Sequence, residues 1–184
     1  MHNLIFCIID KYDQKTLNNL KKGTSIIYRN YTNPANENEI LKLKKFCIKN
    51  KSKIYISNNI FLAKKLKLDG IYIPSFNNSL SSLYKIKNLE VLGSAHNYKE
   101  IIIKKKQKVR LLFVSPVFKI KKTKHFLDIH KFNIYSQFFD NKTIALGGIN
   151  KKNIKKLSLT NSTGYASISL FKKKWITIFW KYKN

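Results

Sequence analysis

The sequence predicts a compact α/β protein, a (β/α)8 TIM barrel with parallel strands, and two patterns along the chain support this prediction. Short apolar runs of strand length alternate with segments of helical spacing. The strand-like runs are mostly apolar throughout, as expected of strands that are covered on both faces. Strict alternation of strands and helices indicates parallel strands joined by helical crossovers.

Eight strands are predicted, which is the number that closes such a barrel. They are Leu4–Ile9, Ser25–Tyr28, Lys53–Ile56, Gly70–Ile73, Leu89–Leu92, Val109–Val114, Thr143–Leu146 and Gly164–Ile168. The clearest predicted helix covers residues 36–49, with Glu37 and Glu39 in its first turn, where the helix dipole favours them. Its predicted apolar face contains Ile40, Leu41, Leu43, Phe46, Cys47 and Ile48.

The alternative is an open, doubly wound sheet that binds a dinucleotide. The first strand ends in Asp10-Lys11-Tyr12-Asp13 rather than in a glycine-rich loop, which does not favour this alternative. We therefore expect one small barrel domain over residues 1–184.

The composition is that of a folded chain without a membrane span. Hydrophobic residues make up 43% and aromatic residues 13% of the sequence, which is enough to bury a core. No apolar run approaches about 18 residues, and the N-terminus lacks the basic and small-residue features of a signal peptide. We expect a cytoplasmic protein in which Cys7 and Cys47 are structural thiols.

The formal net charge of +28 raises the possibility of nucleic-acid binding. The pattern of the charge does not favour a specific reader of nucleic acid. Arg29 and Arg110 are the only arginines, whereas such readers use arginine for bidentate contacts. The lysines are scattered along the chain, as expected when an A/T-rich gene enriches lysine, asparagine and isoleucine together.

The most informative stretch is the predicted strand Thr143–Leu146 followed by Gly147 and Gly148. Glycine lets backbone N–H groups approach a ligand closely, and a predicted lysine-rich helix directly after it would add its positive end. Ser169 follows the next predicted strand. Because the loops after the last two strands of a (β/α)8 barrel commonly bind phosphate, this stretch predicts a phosphate site.

Other polar residues follow the predicted strands, at the end of the barrel where active sites form. They are Asp10, Arg29, Ser57, Asn58, Ser75, Asn77, Ser94, His96, Ser115, Thr123 and Lys124. For Arg29, a bidentate contact with a ligand and an ion pair with Asp10 are equally open. For His96, a role as general base competes with a role in orienting backbone.

Several short motifs occur in a characteristic order. They are Ile8-Ile9-Asp10, Arg29, Leu68–Ile73, Gly93–Asn97, Ser115–Phe118 followed by Thr123-Lys124, Gly147–Asn150 and Ile168-Ser169. In this order they resemble motifs of the thiamine phosphate synthase/TenI family of small (β/α)8 barrels, whose members show V-T-D, Q-x-R-x-K, A-D-G-V-H-L, G-x-S-x-H and G-P-V-F with a following T-K. The resemblance covers nearly the whole chain.

This resemblance implies an activity and a set of ligands. The synthase joins a thiazole phosphate to a pyrimidine methyl diphosphate, forming thiamine phosphate and releasing pyrophosphate. By resemblance, Gly147, Gly148, Ile168 and Ser169 would bind the thiazole phosphate, and Arg29, Ser94 and Lys124 would be catalytic residues facing the diphosphate and the pyrimidine. Asn58, Asn77, His96 and Thr123 would complete the substrate site. The implied partners are these small phosphorylated heterocycles, with a homo-oligomer as a further possibility.

The chain departs from the family pattern at the metal site. The magnesium-binding N-D pair of the family aligns with Ser57-Asn58, and its second metal-binding aspartate aligns with Asn77. The sequence therefore singles out no metal ligands, and Mg²⁺ is expected only if synthase activity is retained. The isomerase of the family uses a histidine where this chain has Pro116. The alternative function is therefore a noncatalytic barrel that binds a phosphorylated ligand.

Two lysine-rich segments are predicted to be parts of helices rather than binding sites. The run Lys104-Lys105-Lys106 reads as the solvated end of a helix. The segment Phe171–Trp180 reads as a final helix that packs against the first and closes the outer ring, with a membrane surface or a dimer contact as alternatives.

Overall fold

Eight parallel strands form a closed barrel in the computed structural model of this chain, which describes residues 4–80, 88–120 and 125–172. Each strand pairs with its neighbours in sequence, and β8 pairs with β1 to close the sheet. The strands are β1 (Leu4–Ile9), β2 (Ser25–Tyr28), β3 (Ile54–Ser57), β4 (Gly70–Ile73), β5 (Glu90–Ala95), β6 (Leu111–Val114), β7 (Lys142–Leu146) and β8 (Gly164–Ser167). The predicted fold class is therefore confirmed.

Helices lie between the strands, in the order expected of crossover connections. They are α1 (Gln14–Leu17), α2 (Glu37–Lys49), α3 (Ile60–Lys65), α4 (Tyr98–Lys106) and α5 (Asp128–Gln137), with a 3-10 helix at Ile154–Leu159. Within the described residues, no helix combines the length and apolar character needed to cross a membrane.

The helix α2 shows how the sequence determines an element and where a simple apolar count fails. The Asn36 side chain accepts from the Glu39 N–H and caps the first turn. Ile40, Leu43 and Cys47 are buried, but Leu41 and Ile48 are exposed. The prediction of a wider apolar face was wrong for these two residues because they lie outside the narrow stripe that faces the sheet.

The interior of the barrel is filled by side chains from alternate positions of the strands. Phe6 and Ile8 of β1 point inward, whereas Cys7 and Ile9 belong to the cluster between the sheet and the helices. The Phe113 ring packs edge-on against Phe6, with ring centres 5.0 Å apart. The interior is therefore a packed core, and any ligand must bind at one of its two ends.

The N-terminal end of the barrel is closed by a network of charged and polar groups. The Tyr55 hydroxyl donates to Glu90 Oε2 at 2.8 Å, and Lys53 Nζ lies 2.7 Å from the same oxygen. Burial acts to raise the pKa of Glu90, but the Lys53 and Tyr55 hydrogen bonds and the positive charge of Arg110 outweigh it and leave this pKa below its ordinary value. An open depression of about 900 Å³ lies at this end, away from the ends of the strands where the polar motifs lie.

Both cysteines are buried and free. Burial raises the pKa of Cys7 to about 12 and the pKa of Cys47 to about 11. Neither thiol is a nucleophile at neutral pH, in agreement with the prediction of structural thiols.

Candidate functional site

Polar side chains form the layer directly above the apolar interior, at the C-terminal end of the strands. Side chains alternate along a strand, so Arg29 lies on the same inward face as Ile27, and Ser94 on the same face as Leu92. The prediction placed Ser94 after its strand. It lies instead inside β5, where it is buried and paired in register with Phe113.

The hydroxyl of Tyr72 connects the interior to this polar layer. Tyr72 is buried on β4, and the side chains of Ser94 and Arg29 both make hydrogen bonds with it. Burial raises the pKa of Tyr72, and the hydrogen bonds and the Arg29 charge oppose this rise without cancelling it. Tyr72 is therefore a neutral phenol at neutral pH, around which Arg29 and Ser94 converge. Sequence reasoning missed it, although a tyrosine between two isoleucines in a buried strand is a signal for a polar tip at the end of the core.

The guanidinium group of Arg29 lies beside an aromatic ring rather than beside a carboxylate. Its Cζ atom is 5.8 Å from the ring centre of Tyr31, within the range of a cation–π contact. The backbone N–H of Arg29 donates to the Ile9 carbonyl at 2.7 Å, which fixes the backbone at the end of β2. Among the described residues, the alternative ion pair between Arg29 and Asp10 does not form. The charge of Arg29 remains available to an anion.

Asn58 and Asn77, at the positions of the missing metal carboxylates, bind each other. The Asn77 Nδ2 donates to Asn58 Oδ1, and Asn77 Oδ1 accepts from the Ser79 N–H at 3.0 Å. The Asn58 backbone has a φ of 57° and donates to the Tyr72 carbonyl at 2.9 Å. The two amides therefore lie together at the end of β3 and β4, as the strand order of the barrel requires.

These two residues do not fit Mg²⁺. Magnesium sites use one or two carboxylates together with the phosphates of a substrate. Here each amide is neutral, and both Asn77 Oδ1 and Asn58 Oδ1 already accept a hydrogen bond. Within the described ranges, no group of three or more His, Cys, Asp or Glu side chains could hold a metal ion.

The loop that contains Asn77 is held by a buried lysine. Lys104 is 0% exposed, and its ammonium group donates to the carbonyls of Pro74 and Asn77 at 2.8 Å and to Gln107 Oε1 at 2.9 Å. Gln107 Nε2 in turn donates to the carbonyls of Asn77 and Ser79. Burial lowers the pKa of Lys104 to about 8.

The prediction that Lys104 belongs to a solvated run was therefore wrong. Lys104 lies three residues after the buried Ile101, on the face of α4 that packs against the barrel. This helical spacing was the available signal, and the two neighbouring lysines obscured it.

His96 follows β5 and contacts backbone. Its Nδ1 lies 2.8 Å from the Ser115 carbonyl, and because a carbonyl only accepts, Nδ1 carries the proton. The backbone N–H of His96 donates to Glu100 Oε2 at 2.7 Å, and the Asn97 side chain caps α4. These contacts favour the alternative in which His96 orients backbone.

Gly147 and Gly148 follow β7 with φ angles of 91° and 72°, which glycine adopts without strain. A Cβ atom on Gly148 would overlap the Phe118 carbonyl, so the loop after β6 passes directly over this glycine. The Gly147 carbonyl accepts from the Phe118 N–H at 3.1 Å. The glycine pair is therefore required both by backbone angle and by close approach.

The segment after the glycines differs from the prediction. No helix starts directly after Gly148; a turn leads to the 3-10 helix, which begins at Ile154. The Gly148 carbonyl accepts from Asn150 Nδ2 at 3.2 Å and from Asn153 Nδ2 at 2.8 Å. Asparagine side chains, which readily bind nearby backbone, stabilise a turn here in place of an immediate helix.

This turn leaves backbone N–H groups without acceptors. A trans peptide points its C=O and N–H in opposite directions, so the asparagine contacts at the Gly148 carbonyl turn the Ile149 N–H away from them. Across the residues that the structure describes, the N–H groups of Gly148, Ile149 and Ser169 donate to no oxygen. Backbone N–H groups normally find a partner, and an anion at the ends of β7 and β8 would supply one.

The remaining predicted site residues divide into two groups. Ile168 and Ser169 follow β8 and are exposed, and the Leu170 N–H donates to Ser167 Oγ at 3.1 Å. Thr123 and Lys124 lie outside the described residues, as does the segment of the predicted final helix beyond Lys172.

Comparisons with known proteins agree with this architecture. The family model described as Thiamine monophosphate synthase matches residues 7–171. A thiamine-phosphate synthase of Pelagibacter ubique is 27% identical over 168 residues, which cover 88% of this chain and 81% of that protein. A thiamine-phosphate synthase of Methanococcus vannielii is 24% identical over 131 residues, or 70% of this chain. This chain spans 64% of the length of the Methanococcus protein.

A solved structure supports the fold. The thiamine phosphate pyrophosphorylase of Pyrococcus furiosus superposes with a TM-score of 0.72 at 17% identity, covering 90% of this chain and 85% of that chain. At this identity the superposition shows a shared barrel. Because the family model covers most of the chain, from β1 to the end of β8, this protein belongs to the thiamine monophosphate synthase family.

Proposed function

We propose that this chain acts in the formation of thiamine phosphate, as a divergent synthase-type barrel that binds a thiazole phosphate at the ends of β7 and β8. The observation that supports this proposal most directly is that the N–H groups of Gly148, Ile149 and Ser169 donate to no oxygen of the described residues. Phosphate oxygens accept several hydrogen bonds at once, and backbone donors held by a fixed turn bind them with little reorganisation.

The second ligand would bind around Arg29, Ser94 and Tyr72. In the synthase reaction the bond between the pyrimidine methylene and the diphosphate breaks, the thiazole nitrogen takes that position, and pyrophosphate leaves. The Arg29 guanidinium would stabilise negative charge on the leaving oxygens, and the hydroxyls of Ser94 and Tyr72 would orient the substrate. By family resemblance, Lys124 and Thr123 would also act on this ligand. Mg²⁺ remains the cofactor of this reaction only if another ligand replaces the missing carboxylates.

The proposed phosphate site is tested by calorimetry of the full chain with thiazole phosphate. Gly148→Asp is a poor variant because its side chain would overlap Phe118. Ser169→Asp is better, since Ser169 is exposed and the new carboxylate repels phosphate. We expect at least about a tenfold loss of affinity, as for like charges a few ångströms apart near a surface.

Ser158→Asp is the matched control, because Ser158 is an exposed serine of the 3-10 helix. Its affinity for thiazole phosphate should equal that of the unaltered chain. Equal affinities for both serine variants, or no binding to the unaltered chain, would contradict the proposed phosphate site.

A second candidate function is binding without turnover. The pairing of Asn58 with Asn77 favours it, because two neutral amides that bind each other occupy the positions of the metal-binding carboxylates of the family. The two candidates differ in one measurement: formation of thiamine phosphate and pyrophosphate from thiazole phosphate, the pyrimidine diphosphate and Mg²⁺. Product formation by the unaltered chain supports the synthase, and binding without product supports the second candidate.

A further inference from the structure

Two large aromatic side chains lie exposed and in contact at the rim of the candidate site. Tyr31, just after β2, is 53% exposed, and Phe76, after β4, is 65% exposed. Their rings meet edge to face, with centres 5.5 Å apart and planes at 73°. A single exposed aromatic residue is ordinary, but a contiguous exposed pair beside the polar ends of the strands indicates a binding surface.

Both rings are held in place by contacts below them. The Tyr31 hydroxyl lies 3.2 Å from Ser57 Oγ, and the Arg29 guanidinium lies against the Tyr31 ring. Phe76 belongs to the loop of residues 74–79, whose carbonyls accept from the buried Lys104 and from Gln107. A surface that is already fixed loses little conformational entropy when a ligand binds.

The polar groups next to these rings are amides. Ser57 and Asn58 are adjacent in the chain, as are Phe76 and Asn77, so the amide pair borders the aromatic pair. Asn58 Oδ1 accepts from Asn77, while Asn58 Nδ2 donates to no described residue. The surface therefore offers π faces and a neutral N–H donor, which match the face and a ring nitrogen of a planar heterocycle.

We propose that Tyr31, Phe76 and Asn58 form a subsite for a planar nitrogen heterocycle. Binding at this subsite does not depend on a diphosphate held by Mg²⁺. The heterocycle stacks on the aromatic pair, and a ring nitrogen accepts from Asn58 Nδ2. This inference rests on the proposed function, since it assigns the second ligand of the same barrel mouth. It differs from the synthase chemistry of the family in replacing a magnesium diphosphate site by stacking and amide contacts.

The experiment titrates the full chain with 4-aminopyrimidine and monitors binding by ligand-observed NMR. We expect Tyr31→Ala and Phe76→Ala each to weaken this binding by about tenfold, the typical effect of removing one stacking partner. Phe138→Ala is the matched control, because Phe138 is also a partly exposed member of an edge-to-face pair, with Tyr98 on the outer helices. It should leave binding unchanged.

A second titration uses inorganic pyrophosphate with and without Mg²⁺. The proposal expects no gain in affinity from Mg²⁺ in the unaltered chain, and a gain in the double variant Asn58→Asp, Asn77→Asp, which restores the carboxylates. Failure of the unaltered chain to bind 4-aminopyrimidine, equal affinities in all three alanine variants, or Mg²⁺-dependent pyrophosphate binding to the unaltered chain would each overturn the proposal.

The two proposals fail in different ways. If the unaltered chain does not bind thiazole phosphate, the phosphate site at β7 and β8 is contradicted, whatever the result with 4-aminopyrimidine. In Tyr31→Ala and Phe76→Ala, thiazole phosphate should still bind with unchanged affinity. This result also shows that the two variants are folded, so that a loss of 4-aminopyrimidine binding is specific to the subsite.

Discussion

The two ends of the barrel use the same residue types for different purposes. Each end has a tyrosine that extends from the interior and an arginine close to it. At the N-terminal end, Tyr55 donates to Glu90, which also binds Lys53 and lies near Arg110. At the C-terminal end, Tyr72 meets Arg29 and Ser94, and the described residues place no carboxylate in an ion pair with Arg29.

This difference indicates that the charged groups at the N-terminal end stabilise the fold, whereas those at the C-terminal end are available to a ligand. A carboxylate shared by a lysine and a tyrosine neutralises charge and ties β3 to β5 across the bottom of the barrel. An arginine without a carboxylate leaves positive potential at the C-terminal end, where we propose that the phosphorylated ligands bind. The formal net charge of the chain is +28, so positive side chains alone do not distinguish the two ends. The ends differ in whether a carboxylate lies beside the arginine.

The largest expected effect is on the free energy of unfolding, and it distinguishes Lys104 from Lys53. Lys104→Met should lower the free energy of unfolding by about 3 kcal/mol, because the carbonyls of Pro74 and Asn77 and the Gln107 amide lose their donor. Lys53→Met should cost less than about 1 kcal/mol, because Lys53 is half exposed in its ion pair. Urea unfolding measures both. Similar losses for the two variants would contradict the assigned role of Lys104.

The pH dependence of stability provides a second test of Lys104. Its pKa is about 8 in the folded chain, against an ordinary value of 10.5. Between these values the unfolded chain binds the proton and the folded chain does not, so stability rises with pH; below about 8 both are protonated and the contribution is constant. Relative to Lys104→Met, the unaltered chain should gain about 2 kcal/mol between pH 8 and 10 in urea unfolding. Parallel curves for the two proteins would contradict a buried ammonium.

The two arginines provide a comparison of binding. Arg29→Met should weaken the binding of inorganic pyrophosphate by about tenfold, because it removes a cation at the mouth that pairs with no carboxylate of the described residues. Arg110→Met should leave this affinity unchanged, because Arg110 lies at the opposite end near Glu90. Calorimetry at fixed ionic strength measures both. Equal effects would show that pyrophosphate responds only to net charge.

The smallest expected effect concerns the N-terminal end. Glu90→Gln should cost about 1 kcal/mol at neutral pH, because the amide keeps the Tyr55 contact but loses the attraction of Lys53 and Arg110. The pKa of Glu90 is lowered in the folded chain, so its contribution is present above the ordinary value of 4.5 and disappears as pH falls below it. The two proteins should therefore converge in stability in acid. A difference that persists at low pH would indicate a packing effect.

Much of the fold and part of the site follow from local patterns. The eight strands were predicted within a few residues, because inward and outward alternation and the turns between elements are properties of neighbouring residues. The polar strand ends at Arg29 and Gly147–Gly148 were predicted for the same reason, since the parallel barrel brings every strand end to one mouth.

The contacts between these residues could not be predicted in the same way. Leu41, Ile48 and Lys104 were assigned to the wrong surroundings because a run of similar residues hides which face a helix buries. The helix expected after Gly148 is delayed by asparagine contacts to one carbonyl. The pairing of Asn58 with Asn77 joins residues 19 positions apart, and their sequence separation alone gives no sign of it.

The sequence by itself therefore determined the barrel, its polar mouth and the absence of the metal carboxylates from the family pattern. Only the tertiary structure decided that Arg29 faces Tyr31 and Tyr72, that Lys104 is an internal donor, and that the N–H groups of Gly148, Ile149 and Ser169 find no acceptor among the described residues. The physical reason is range. Backbone periodicity is set by adjacent residues, whereas hydrogen-bond partners are selected among groups that only the closed barrel brings within 3 Å.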